Sequence, residues 1–291
     1  MKVNLFIVGF PKAGTTTIFN ILSRSKEVTA SRVKEPHHFL PEKVLNQIPQ
    51  KKRKFLNRLG DQGRSAHLAL VEGRKEYKDL FTKTGNSGSK YFMEASSGYC
   101  IYEESLQAIH AYNDNAKIIC IVRHPVDRVL SHYKMDNGHS KKRMSKSLRY
   151  IKRDFESNVK GWMLSNMYVE YSRLRKSVES IKNIYKQENI LFIDFKDFKD
   201  QTKITQALSE FLKIDLDKDE IVIKNRSNPR GWKFIRRHFR YFFGRKTRYV
   251  FKTIFFSRDP KLFKYQQGTS EWLSQILKEE VEFYKLLFTD V

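Results

Sequence analysis

VNLFIVGFPKAGTTTIFNIL, residues 3–22, is the stretch on which the fold turns. Val3 to Val8 is a short apolar run that stops at Gly9, and Thr15 to Leu22 repeats apolar residues at helical spacing. Together they predict a buried strand, a tight loop and a helix. Gly9-Phe10-Pro11-Lys12-Ala13-Gly14-Thr15-Thr16 spaces its glycines as a nucleotide-binding loop does, so backbone N–H groups at the helix start can converge on a phosphate. The lysine is displaced from the Walker position. Thr15 follows the second glycine, and the lysine is Lys12, inside the loop. Lys12, Ala13, Gly14, Thr15 and Thr16 are the anion-binding candidates, with Thr17 one step further along the helix. An ordinary strand-to-helix turn with a surface lysine is the plainer alternative, and the density of Gly, Lys and paired Thr argues against it.

Outward from this unit, Tyr91–Ala95, Lys117–Val122 and Asn189–Ile193 read as further strands, and Ile101–Tyr112 as a helix. Val122 leads through Arg123 and His124 to Pro125, a residue suited to a first helical position, and the helix beyond carries Val129, Leu130 and Tyr133. Tyr168, Tyr171, Leu174, Val178, Ile181 and Ile184 recur at three and four residues and predict one amphipathic helix. A last helix opens at Thr269 or Ser270 and presents Trp272, Ile276, Val281, Tyr284 and Leu287. This alternation predicts an α/β fold, a three-layer α/β/α arrangement with a central parallel sheet. Ligands in such sheets lie beyond the carboxyl ends of the strands. One domain over residues 1–291 is expected, with a basic, aromatic-rich insertion at about 230–264.

The chain has 291 residues, of which 40% are hydrophobic, enough for one large core. Its formal net charge of +24 favours anionic partners, yet charge alone does not choose among nucleic acid, nucleotide, acidic polysaccharide and lipid headgroup. Cys100 and Cys120 sit in apolar settings that suit free thiols, so no disulfide is expected. Met1 and Lys2 run straight into a strand, which predicts a cytoplasmic protein with no signal peptide or spanning helix. Ser140–Arg153 is rich in Lys and Arg, and Arg230–Lys264 alternates basic residues with aromatics. Both read equally as solvated helical faces or as surfaces for anions, including an acidic membrane.

Three segments, in this order, resemble the sulfotransferases that use 3′-phosphoadenosine-5′-phosphosulfate (PAPS), particularly the heparan-sulfate-like and bacterial branch. FPKAGTTT, Phe10 to Thr17, is similar to the family's 5′-phosphosulfate loop; KEPHHF, Lys34 to Phe39, to the segment that holds the catalytic base; and IVRHPVDRVLSHY, Ile121 to Tyr133, to the 3′-phosphate motif. Weaker similarity continues from the Tyr168 region through ILFIDFKDF to FLKI, so it spans most of the chain. The resemblance implies PAPS as donor and 3′-phosphoadenosine-5′-phosphate (PAP) as product, with no metal. It further implies Arg123 and Ser131 on the 3′-phosphate, Glu35 as base, His37 as its helper, Lys12 on the leaving phosphate, and a hydroxyl as acceptor; the positive charge points to a glycan, acidic or lipid-linked, with a lipid, a sugar or a small alcohol as alternatives. Relatives commonly carry a basic residue where Ala95, Ser96 and Ser97 follow Glu94, and a Lys- and Gly-rich loop where Gln266, Gln267, Gly268 and Thr269 stand here.

Without the family, each residue keeps a second reading. Arg123 at a strand end and Ser131 on the next helix can share one phosphate, or Arg123 can pair with Asp127. Glu35 can take the proton of an acceptor hydroxyl, or serve as a salt-bridged surface residue beside Lys34. His37 and His38 can be loop imidazoles; neighbouring histidines without further ligands make a poor metal signature, so no metal site is predicted. Two other functions compete. ILFI followed by Asp194 suits a P-loop kinase or NTPase that holds magnesium. A basic membrane- or nucleic-acid-binding protein explains the charge but not the three segments, and nucleic acid is not expected as a partner.

Overall fold

In the computed structural model the chain is described over residues 2–61, 68–82, 88–138, 140–162, 165–216 and 263–289. All but the last two residues of the 230–264 insertion lie outside the described residues. Strand β1 (Leu5–Ile7) leads through the loop into helix α1 (Thr15–Leu22), and β2 (Val28–Ala30) follows. Helices α2 (Glu42–Leu45), α3 (Gln50–Asp61) and α4 (Arg74–Thr82) precede β3 (Tyr91–Glu94). Next come α5 (Glu103–Tyr112), β4 (Lys117–Val122), α6 (Pro125–Asn137), α7 (Lys141–Met144), α8 (Ser147–Glu156) and α9 (Leu174–Ile184). Strand β5 (Ile190–Asp194), α10 (Gln201–Leu212), α11 (Thr269–Ile276) and α12 (Lys278–Leu287) complete the order.

The five strands form one sheet in the order β2-β3-β1-β4-β5, every pair parallel. Leu5 lies opposite Met93 on one side and Lys117 on the other, so the strand that feeds the loop is central. Parallel strands covered by helices should be apolar throughout. Leu5, Phe6 and Ile7 are buried, as are Ile118 to Val122 of β4. The chain leaves the central strand for one edge and later crosses to the other side, so the strand order reverses beside β1, the place where open parallel sheets bind ligands. The α/β sheet flanked by helices is the fold expected from residues 3–22.

A second, smaller apolar cluster joins Val126, Val129, Tyr133, Met144, Ile151, Tyr168, Leu273 and Leu277. It fixes α6, α8 and α11 to one another, and with them the basic stretch 140–153. Cys100 and Cys120 are buried free thiols. No helix among the described residues is long and apolar enough to cross a membrane.

Two expected helices differ. The one predicted from Tyr168 begins at Leu174, because Tyr168 precedes a 3-10 turn at Glu170–Ser172 and Arg173 is extended. Arg128 accounts for the interruption: its guanidinium donates to the Tyr168 carbonyl and, at 2.5 Å, to the Ser172 hydroxyl, so side-chain chemistry replaces the helical ladder there. The C-terminal helix is broken at Leu277 into α11 and α12. Strand β2 has only three residues, too few for periodicity to reveal.

Candidate active site

The loop from Gly9 to Thr16 is set by close packing against β4. A Cβ on Gly9 would stand 2.7 Å from the Ile121 backbone nitrogen, so only glycine lets the loop start this near the next strand. The ladder continues past β1, with Val8 and Phe10 donating to the Ile119 and Ile121 carbonyls at 3.0 and 3.4 Å. Gly14 then adopts φ 101° as the N-cap of α1, and Lys12 holds the left-handed value of 71°. A left-handed non-glycine residue costs roughly 1–2 kcal/mol, and the loop has partners that hold it there. Arg123 donates from Nη1 to the Lys12 carbonyl at 3.0 Å, and Arg128 from Nη1 to the Pro11 carbonyl at 3.4 Å. Two guanidinium groups thus take the loop's carbonyls, while no side chain caps the start of α1. Its first N–H groups and the positive end of its dipole are suited to an anion.

Arg123 itself follows the end of β4, with its cation 4.3 Å from the centre of the Phe195 ring. Burial disfavours the charged form and lowers its proton affinity. Its Nε is buried with no hydrogen-bond partner among the described residues. Arg123 does not pair with Asp127, which is exposed and lies 4.0 Å from His124. Behind it Arg128 is fully buried, and burial pushes it down to about 9, still a cation at neutral pH. Ser131 is half-buried on α6, and its hydroxyl has no hydrogen-bond partner among the described residues.

The KEPHHF segment leaves the end of β2 and keeps following β3. Ser31 donates to the Met93 carbonyl at 2.8 Å, and Ala95 to the Lys34 carbonyl at 3.3 Å. That register places Glu35 beside Ser97, whose hydroxyl donates to Glu35 Oε2 at 2.8 Å. Lys34 lies 2.6 Å from Glu35 Oε1, and its ammonium also reaches the Thr15 hydroxyl at 3.5 Å. Glu35 is therefore salt-bridged, as its plainer reading had it, but at 7% exposure it is no surface residue. His37 is buried with φ 51°, and its Nδ1 lies 3.0 Å from the Glu35 carbonyl and 3.4 Å from that of Ala69. Carbonyls only accept, so Nδ1 carries the proton. Burial, opposed by the Glu35 charge, lowers the His37 pKa, which leaves Nε2 with a free lone pair at 3.8 Å from Glu35 Oε2. His38 is a structural imidazole, 2.7 Å from the Val71 carbonyl and stacked on Tyr77.

A second carboxyl underlies this segment. Glu94 is fully buried and accepts from Tyr77 at 2.5 Å and from Ser96 at 2.6 Å; the Ser96 oxygen in turn accepts the His37 backbone N–H at 3.1 Å. Burial pushes Glu94 up to about 7, although these hydroxyls favour the anion. Glu35, His37 and Ser97 open onto a cleft of about 720 Å³ that reaches Pro11 of the loop at the same end. Trp162, Tyr150, Tyr168 and Tyr171 give it aromatic walls, and Lys52, Arg143 and Arg153 bring positive charge. Its acids are engaged: Asp154 accepts from the Asn166 and Tyr168 backbones, and Asp136 from the Tyr168 hydroxyl.

Of the residues singled out in the sequence, the loop Lys12–Thr16, Arg123, Glu35 and His37 are drawn into one constellation, with Thr17 buried on α1 just behind it. Ser131 lies half-buried on α6. Lys34, Ser97, Arg128 and Glu94 were not read as site residues. Lys34 stands next to Glu35 and Arg128 lies within IVRHPVDRVLSHY, yet only tertiary contacts show what they touch. Asp194, on which the kinase reading rested, accepts from Tyr284 at 2.6 Å and from the Lys196 backbone at 2.9 Å as the cap of a 3-10 turn. Among the described residues there is no group of three or more His, Cys, Asp or Glu that could hold a metal.

The sequence model described as "Sulfotransferase family" matches residues 4–218, about three quarters of the chain. The carbohydrate sulfotransferases 15 of mouse and human are each 25% identical over 150 residues, covering 45% of this chain and 26% of the relative. The chain thus spans about a quarter of the curated relatives it matches. A sulfotransferase of Alicyclobacillus acidocaldarius has a similar fold, with a TM-score of 0.57 at 21% identity over 82% of this chain and 91% of that one.

Proposed function

This chain belongs to the sulfotransferase family, and on that premise we propose that it transfers the sulfuryl group of PAPS to a glycan hydroxyl, with Glu35 as base. The observation that carries this reading is a buried carboxylate where the cleft meets the anion loop. The residues fit the donor: the start of α1 has no side-chain cap, and Arg123 keeps a buried, unpartnered Nε. Lys12, Ala13, Gly14, Thr15, Thr16 and Thr17 would hold the 5′ end, and Arg123 with Ser131 the 3′-phosphate. PAPS supplies the sulfuryl group and a phosphate as leaving group. Glu35 accepts the proton of the acceptor hydroxyl as its oxygen bonds to sulfur. Lys12 and the loop N–H groups stabilise the charge left on the phosphate oxygen when the old sulfur–oxygen bond breaks. His37 Nε2, unprotonated at neutral pH, accepts from a second donor group of the acceptor molecule, since the reacting hydroxyl's one proton goes to Glu35. No covalent bond to the enzyme is needed, and no step calls for a metal.

The acceptor assignment follows the carbohydrate sulfotransferases among the relatives and the make-up of the cleft. Trp162 and Tyr150 suit the apolar faces of sugar rings, and Lys52, Arg143 and Arg153 suit an acidic glycan. Residues 1–291 are read as one domain of this activity, with the 230–264 insertion as accessory. Glu35→Gln keeps the shape of the base without its basicity. Turnover with labelled PAPS should fall roughly 10²- to 10⁴-fold while PAP binding persists. A variant that retains turnover would remove Glu35 from the chemistry.

A further inference from the structure

Lys34 is an unusual residue to find where it is. Its side chain is 7% exposed, it lies between the base and the anion loop, and its ammonium touches Glu35 Oε1 at 2.6 Å and Thr15 Oγ1 at 3.5 Å. A buried ion pair is a weak source of stability, since apolar groups of similar volume often do as well. An ammonium in contact with a carboxylate also opposes that carboxylate's work as a base, because it favours the ionised form. Stability and basicity both leave the lysine unexplained, and its second contact supplies the explanation.

Resting on the donor and base assigned above, we propose that Lys34 is a further catalytic residue: it holds Glu35 until a sulfonate arrives in the loop, then binds that sulfonate and frees Glu35 for the acceptor. The transferred group has to travel from the loop to an oxygen held at Glu35, and a side chain within 3.5 Å of the loop hydroxyl and 2.6 Å of the base stands along that path. The Ser97 hydroxyl remains on Glu35 after Lys34 turns, so the carboxylate stays placed. The ammonium is positioned to neutralise the sulfonate oxygens through the transfer. No proton leaves Lys34. Its charge is only redistributed, from one anion to another.

PAPS and PAP differ by the sulfonate alone, which gives a binding test that needs no turnover. Calorimetric titration without acceptor should show Lys34→Met losing affinity for PAPS by roughly tenfold or more, with PAP affinity unchanged. Because Lys34→Met strands a buried carboxylate, the double variant Lys34→Met/Glu35→Gln carries the same comparison without an orphan charge. It should show the same selective loss. A pH–rate profile adds an independent readout. Glu35 is faced by Lys34, His37, the Ser97 hydroxyl, Tyr171 and, behind them, Glu94. Lys34 is a cation in direct contact with it, so Lys34→Met should move the acid limb to higher pH. Equal weakening of PAPS and PAP, or of neither, overturns the role of Lys34 and leaves the donor and base assignments standing. Failure of the wild type to bind either nucleotide overturns those assignments instead.

Discussion

The donor end and the acceptor end of the site are built by different means. At the proposed donor end the frame is backbone: a loop with two left-handed residues is held by guanidinium groups on its carbonyls, that of Arg128 fully buried and that of Arg123 half-buried. At the acceptor end, side chains of α3, α7, α8 and the 157–171 segment surround an open cleft, and several are exposed. Glu35 and Lys34 lie where the two meet. A site assembled from fixed backbone should lose folding and binding together when it is disturbed, whereas a cleft lined by exposed side chains should lose only affinity for what enters it.

The largest effect should come from Arg128→Met. Loss of its donors leaves the Pro11 and Tyr168 carbonyls unsatisfied, while the Ser172 hydroxyl keeps only its bond to the Pro125 carbonyl. Each such group costs about 1–3 kcal/mol. Denaturant melts should show a loss of several kcal/mol, offset in part by no longer burying a cation, and PAP affinity should fall with it. Unchanged stability with normal PAP binding would break the contrast at its strong end.

Glu94 tests the floor between the two ends through pH. Between pH 4.5 and about 7 the folded protein holds a proton on Glu94 that the unfolded chain has released, so this residue lowers stability as pH rises through that window. His37 and His38, both lowered by burial, act oppositely below 6.5, where the unfolded chain binds protons that the folded one refuses. Comparison of Glu94→Gln with wild type isolates the first term. From below pH 4.5 to above 7 the stability difference should move toward the variant, by about 3 kcal/mol at one pH unit per 1.4 kcal/mol. A difference independent of pH would show that Glu94 keeps its ordinary proton affinity in the folded protein.

The smallest effect belongs to the cleft. Arg153 is exposed, so Arg153→Ala should raise the acceptor KM by about two- to fivefold, the range of a solvent-screened charge, with kcat and PAP affinity unaltered. A fall in PAP affinity would mean that the two ends are not separable in this way.

The same division explains what could be read from the sequence. Residues 9–17 and 121–131 are each contiguous, so glycine spacing, a strand-end arginine and a first-turn proline disclosed the strand-loop-helix units and the parallel sheet. Glu35 and His37 were singled out because they share one short segment, and the structure places them side by side at the cleft. Lys34 was visible only as a neighbour, since Thr15 approaches it by tertiary folding across 19 residues. Arg128 looked like one more polar residue of a helix; its partners at Pro11, Tyr168 and Ser172 come from two distant segments and also end the helix that periodicity had begun at Tyr168. The cleft was illegible for the same reason: Lys52, Arg143, Arg153 and Trp162 converge from separate elements, with no spacing to announce them.

The central claim is that Arg123 and the loop recognise a nucleotide with a 3′-phosphate. Calorimetric titration of wild type and Arg123→Ala with PAP and with ATP, each with and without magnesium, tests it most directly. The account predicts tight, magnesium-independent binding of PAP that weakens at least tenfold in the variant, the loss of a charge-assisted contact. Preference for ATP with magnesium, or PAP binding indifferent to Arg123, would contradict it.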